Sequence, residues 1–135
     1  MTARANHITA APVLTGLRVG VVLSAAVVVL AVVGLTPSFS WIPEVPFLLV
    51  ATLIPLLGFG FAGYRCASTS HRALDGTIAG AVAGLLSGAI GGLSYVAFGK
   101  PLLNVFVGPL IGAVGGALVG AVAALFALRR MGTPS

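Results

Sequence analysis

Charge is what this chain has least of: two acidic and seven basic side chains among 135 residues, 7% in all. With 59% hydrophobic residues and a mean hydropathy of +1.16, too little polar surface remains to coat a water-soluble globule. The single cysteine, Cys66, excludes an internal disulfide. Histidine occurs only at His7 and His71, so no Cys/His cluster has metal-ligand spacing and no metal or other cofactor is expected. The basic residues are too sparse and scattered for a nucleic-acid footprint, which needs clustered Lys and Arg, so nucleic acid is not an expected partner. No arrangement of nucleophile, base and orienting group is present, and an enzyme is not expected.

What the chain has instead is four long uncharged stretches, near residues 19–35, 46–63, 76–98 and 102–128. Each approaches or exceeds the roughly 17 to 25 apolar residues that cross ~30 Å of hydrocarbon. The first is preceded by Arg4 and Arg18 in the manner of a signal peptide. Its apolar run is long for that role and no small-x-small site follows it, so it is expected to remain as a helix. The expectation is a single all-α membrane domain over residues 1–135, a four-helix bundle in the cell membrane. Basic residues cluster in cytoplasmic loops of membrane proteins. With both termini and the linker 64–75 inside, Arg4, Arg18, Arg65, Arg72, Arg129 and Arg130 are cytoplasmic and only Lys100 is outside. The two acids, Glu44 and Asp75, then lie on opposite sides of the bilayer and cannot form a carboxylate pair. Asp75 is expected to cap the third helix, and Trp41, Tyr64 and Tyr95 to lie at the membrane interfaces. Arg65, Arg72, Arg129 and Arg130 are candidates for contact with an anionic leaflet.

Nine glycines fall on two four-residue ladders, Gly76, Gly80, Gly84, Gly88 and Gly92, then Gly108, Gly112, Gly116 and Gly120. The two segments align as an internal repeat, GTIAGAVAGLLSGAIGG over GPLIGAVGGALVGAVAA, and only Gly99-Lys100-Pro101 joins the spans that hold them. Lipid gives helices little hydrophobic reason to associate, so contact depends on close backbone approach, which small residues every four positions allow. The third and fourth helices are therefore expected to form an antiparallel hairpin. The ladders also suit self-association or the lining of a narrow pore.

Within the spans no side chain is ionisable; the polar ones are Ser24, Thr52, Thr77, Ser87, Ser94 and Asn104, expected to bond between helices. Coupled carriers keep acids, bases or histidines in the membrane, and none is here. Nor is there the embedded Glu of small multidrug exporters or the Thr/Ser run of fluoride channels. Pro46 suits the first position of the second helix, where a missing N–H costs nothing, while Pro55 and Pro109 should kink their helices.

The stretch Pro55–Gly92, with its GFGFAGY helix end, short polar linker and Asp75-Gly76 opening a laddered helix, resembles the small four-helix multi-pass membrane proteins of unknown function common in haloarchaea. Their linkers are often acidic, whereas this one is basic. The resemblance implies a four-helix membrane fold and assigns no activity or site. The functional expectation is a non-enzymatic structural or accessory subunit whose partners are the lipid bilayer and either further copies of itself or a larger membrane complex. The alternative is a small homo-oligomeric channel or passive facilitator.

Overall fold

The computed structural model describes the backbone of residues 3–132 and the side chains of residues 10–132, so the side chains of Arg4 and His7 lie outside the described residues. Four helices dominate: α1 (Ala3–Leu35), α2 (Glu44–Ser70), α3 (Ala73–Ala97) and α4 (Asn104–Gly132). A short 3-10 turn at Pro37–Phe39 lies between the first two. The stretch Ala10–Leu35 and the whole of α2, α3 and α4 are each long and apolar enough to cross a membrane.

The helices begin and end differently from the apolar runs, because hydropathy marks where a helix is greasy and not where its hydrogen bonds stop. The α1 helix starts at Ala3, well before residue 19, with Pro12 fully buried inside it. The expected linker 64–75 is helical as far as Ser70. There the Ser68 hydroxyl donates to the Arg65 carbonyl at 2.9 Å and the Thr69 hydroxyl to that of Cys66 at 2.9 Å, so polar side chains are satisfied without breaking the helix. The helix ends at His71, whose φ of 59° is left-handed and whose N–H donates to the Ala67 carbonyl at 2.9 Å. Only His71 and Arg72 separate α2 from α3. The N-cap of α3 is Arg72, without a side-chain cap bond; Asp75 lies in the first turn and is buried. The α2 helix starts at Glu44, so Pro46 is its third residue and not its first, while Pro55 and Pro109 lie within α2 and α4. Between α3 and α4, Gly99 turns the chain at a φ of 79° that costs glycine little, and the Lys100 N–H reaches back to the Tyr95 carbonyl at 3.1 Å.

Helices α2 and α3 each pack against all three others, and α1 and α4 each pack against both of those. What they bury is small. Ala62, Ala67, Ala79, Ala83 and Ala124 have no exposed surface, whereas Val22, Leu57 and Phe106 are about 70% exposed. Among the described residues, the six polar side chains expected within the spans bond locally and not between helices. Ser24 donates to the Gly20 carbonyl at 2.7 Å, Ser94 to that of Ile90 at 2.8 Å and Thr77 to that of Ala73 at 3.1 Å. Thr52, Ser87 and Asn104 likewise bond to Leu48, Gly84 and Pro101. A hydroxyl on a helix has a carbonyl of its own turn within reach, so the interhelical bonds expected of the five hydroxyls give way to local ones, and the Asn104 amide likewise donates locally, to the Pro101 carbonyl just before α4.

Candidate functional site

The tight turn at Gly99 sends α4 back along α3, and the two ladders run past each other in opposite directions. A Cβ added at Gly84 would fall on the Gly112 carbonyl, one at Gly88 on the Gly108 carbonyl, and one at Gly80 on the Gly116 carbonyl with Gly120 Cα at 2.9 Å. In the reverse direction, Gly108 faces Gly88, Gly112 faces Gly84, Gly116 faces Gly80, and Gly120 would bring a Cβ to 2.8 Å from the Gly76 carbonyl oxygen. Backbone rests on backbone at each of these positions, a spacing at which Cα–H groups can contact carbonyls across the seam.

The ends of the ladder differ from its middle. A Cβ on Gly92 would meet the Asn104 and Val105 backbone, although Gly92 Cα itself lies 3.2 Å from where a Gly108 Cβ would be. Gly76 lies where three helices meet: a Cβ there would stand 2.6 Å from the Gly63 carbonyl oxygen of α2 and 2.6 Å from the Ala124 Cβ of α4.

Several contact residues escape a reading of the ladders alone. Gly63 would place a Cβ 2.6 Å from Gly120 Cα, joining α2 to the seam. On the other side of α3, Gly16 lies against the Ala79 carbonyl oxygen, 2.6 Å from where its Cβ would be, and Gly20 against Ala83 Cα at 3.2 Å. The Gly16–Gly20 spacing is itself a four-residue signal, but Gly16 precedes the expected first span. Ala79 and Ala83 are also four apart, yet alanine is too common in these helices to stand out. Higher up, α2 leans toward α1, with Gly58 over Leu23 and Phe47 over Gly34.

The four arginines Arg65, Arg72, Arg129 and Arg130 are all exposed and lie toward one end of the bundle, where three of them border different recesses. Arg72 borders a recess of about 420 Å³ with Asp75, Cys66 and Ser70. Arg129 borders another, on α4, with Phe126, and Arg130 follows it in the last turn of α4. Arg65 extends from α2 over the Phe61 ring, 5.9 Å from its centroid, and shares a crevice with Arg18 of α1. Cys66, expected in a loop, is buried in α2 among Leu23, Phe59, Ala62, Ala79 and Ala83.

Toward the opposite end, an apolar crevice of about 540 Å³ opens between α2 and α4 beside Pro55, its floor formed by Ser87 and Gly91 of α3. Among the described residues, no three His, Cys, Asp or Glu side chains gather to hold a metal ion. Comparison with protein-family models, curated proteins and solved structures finds no match to this chain.

Proposed function

We propose that the chain is a non-enzymatic integral membrane protein, with both termini cytoplasmic, that serves as a structural or accessory subunit packed with further copies of itself or within a larger membrane complex. The observation that carries this reading is the distribution of side-chain size: an interior made mostly of glycine and alanine, with Leu23 and Phe59 the large exceptions, and Val22, Leu57, Phe106 and Leu110 outside at 66–71% exposure. Water would penalise so large an apolar exterior. In a bilayer it costs nothing, and small interior residues are what membrane helices use to approach each other. The resemblance of Pro55–Gly92 to the haloarchaeal-type membrane proteins agrees with this setting and adds no activity.

Both ladders are occupied by each other within one chain, which favours the accessory reading over a homo-oligomeric channel lined by them. Further contacts would then use the larger side chains of the outer faces.

The deciding experiment is purification from membranes in a mild detergent followed by native mass measurement. A chain bound to a larger assembly, or to copies of itself, agrees with the proposal; a lone monomer argues against the subunit role. Recovery in the soluble fraction after cell breakage would remove the membrane reading altogether. Passive solute flux in liposomes, abolished by Gly→Leu substitution in one ladder, would raise the channel alternative above it.

A further inference from the structure

The crevice between α1 and α2 brings together two arginines from different helices. Arg18 reaches it from α1 and Arg65 from α2, Thr15 borders it beside them, and Val19, Val22, Leu23 and Phe61 line the remainder of its roughly 380 Å³. Among the described residues, no acidic side chain lines it. The nearest, Asp75, is buried in the neighbouring recess on the other side of Thr15, with Cys66.

Depth makes the pair informative. Arg18 precedes the end of α1 at Leu35 by 17 residues, and Arg65 follows the start of α2 at Glu44 by 21. At ~1.5 Å per residue these are about 26 and 32 Å, close to the ~30 Å thickness of bilayer hydrocarbon. On the membrane reading above, on which this inference rests, both guanidiniums therefore stand where hydrocarbon gives way to the phosphates of the inner leaflet. Two cations at that depth without a protein counter-ion call for an anion from elsewhere.

We propose that Arg18 and Arg65 bind one anionic phospholipid, its phosphate held between the two guanidiniums and an acyl chain lying along Val22, Leu23 and Phe61. Guanidinium donors match phosphate oxygens in pairs, and Thr15 adds a hydroxyl. The Arg65 guanidinium lies over the Phe61 ring, 5.9 Å from its centroid, within reach of a cation–π attraction. The apolar walls select a lipid over a free phosphate, because Val22 and Phe61 are exposed at 70% and 55% only if nothing covers them.

The test is lipid retention by the full chain purified from membranes of equal phosphatidylglycerol and phosphatidylcholine content, read by native mass spectrometry. The wild-type chain should keep phosphatidylglycerol preferentially, one molecule per chain. Arg18→Gln and Arg65→Gln should each lower that retention about five-fold and the double variant about twenty-five-fold. Arg129→Gln, on a separate surface, should leave it unchanged, and Phe61→Ala should weaken retention while keeping the headgroup preference. Equal retention of the two lipids by wild type overturns the proposal without depending on any variant folding. So does undiminished retention by a folded double variant, or displacement of the lipid by inorganic phosphate at equal concentration, which would mark a phosphate site alone. Resistance of the chain to alkaline carbonate washing checks the membrane reading independently, so the two failures are distinguishable.

Discussion

Replacing Gly84 with alanine adds one methyl group at the middle of the α3–α4 seam. That methyl would stand 2.6 Å from the Gly112 carbonyl carbon, with the carbonyl oxygen nearer still, where ordinary contact begins at 3.4 Å. The helices must part by at least about 0.8 Å there, and because the obstruction is backbone, no side-chain rotation relieves it. Gly115 is the matched control: it lies within α4, and a Cβ built on it meets nothing within 4 Å. Both changes carry the same gain in helix propensity, about 0.5–1 kcal/mol, so comparing them cancels that term and leaves the cost of overpacking. Gly84→Ala should be less stable than Gly115→Ala by about 1–3 kcal/mol, a roughly 5- to 150-fold difference in the opening equilibrium. The buried Cys66 thiol supplies the readout. Ala79 and Ala83, which cover it, sit one residue from Gly80 and Gly84, so displacing α3 exposes it to a fluorogenic maleimide. The midpoint of thiol exposure on heating in detergent should fall for Gly84→Ala and hold or rise for Gly115→Ala. Coincident midpoints would show that the seam tolerates a methyl group and that close backbone contact does not hold these helices together.

Gly63→Ala should destabilise the bundle by about 1–3 kcal/mol in the same assay, because its Cβ would stand 2.5 Å from the Gly120 carbonyl oxygen; an unchanged midpoint would remove α2 from the three-helix junction. His71→Gly should stabilise by about 1 kcal/mol, since a left-handed φ of 59° strains histidine and not glycine, whereas His71→Val should be worse than wild type; the reverse order would contradict the turn geometry. With Cys66→Ala as background, Arg129→Cys should resist an impermeant maleimide in intact cells and react once membranes are opened, while Lys100→Cys should react from outside. The opposite pattern would invert the orientation.

The middle of each helix was legible because a long uncharged run has few alternatives, and the ends were not. Ser68 and Thr69 look like loop residues, yet both bond to carbonyls of their own turn and let α2 continue to Ser70. The same local bonding misled the expectation for Ser24, Thr77 and Ser94: their hydroxyls are satisfied before a neighbouring helix can compete. Four-residue spacing made the glycines of α3 and α4 conspicuous. Ala79 and Ala83, which meet Gly16 and Gly20 on the other face of α3, merge into an alanine-rich background. The convergence of Arg18 and Arg65 depends on two helices meeting, and no local pattern in either segment announces it.

A seam built from identical steps carries little information about its own alignment. Sliding α4 along α3 by four residues, about 6 Å, would lay glycine on glycine again at most positions, and the middle of the ladder would scarcely register the change. Alignment must therefore be set where the repetition stops: at the Gly99 turn, whose short span ties Gly92 to the Asn104 backbone, and at Gly76, where Gly63 and Ala124 close the far end. The hairpin is thus a vernier with two end-stops, and lengthening the turn releases one of them.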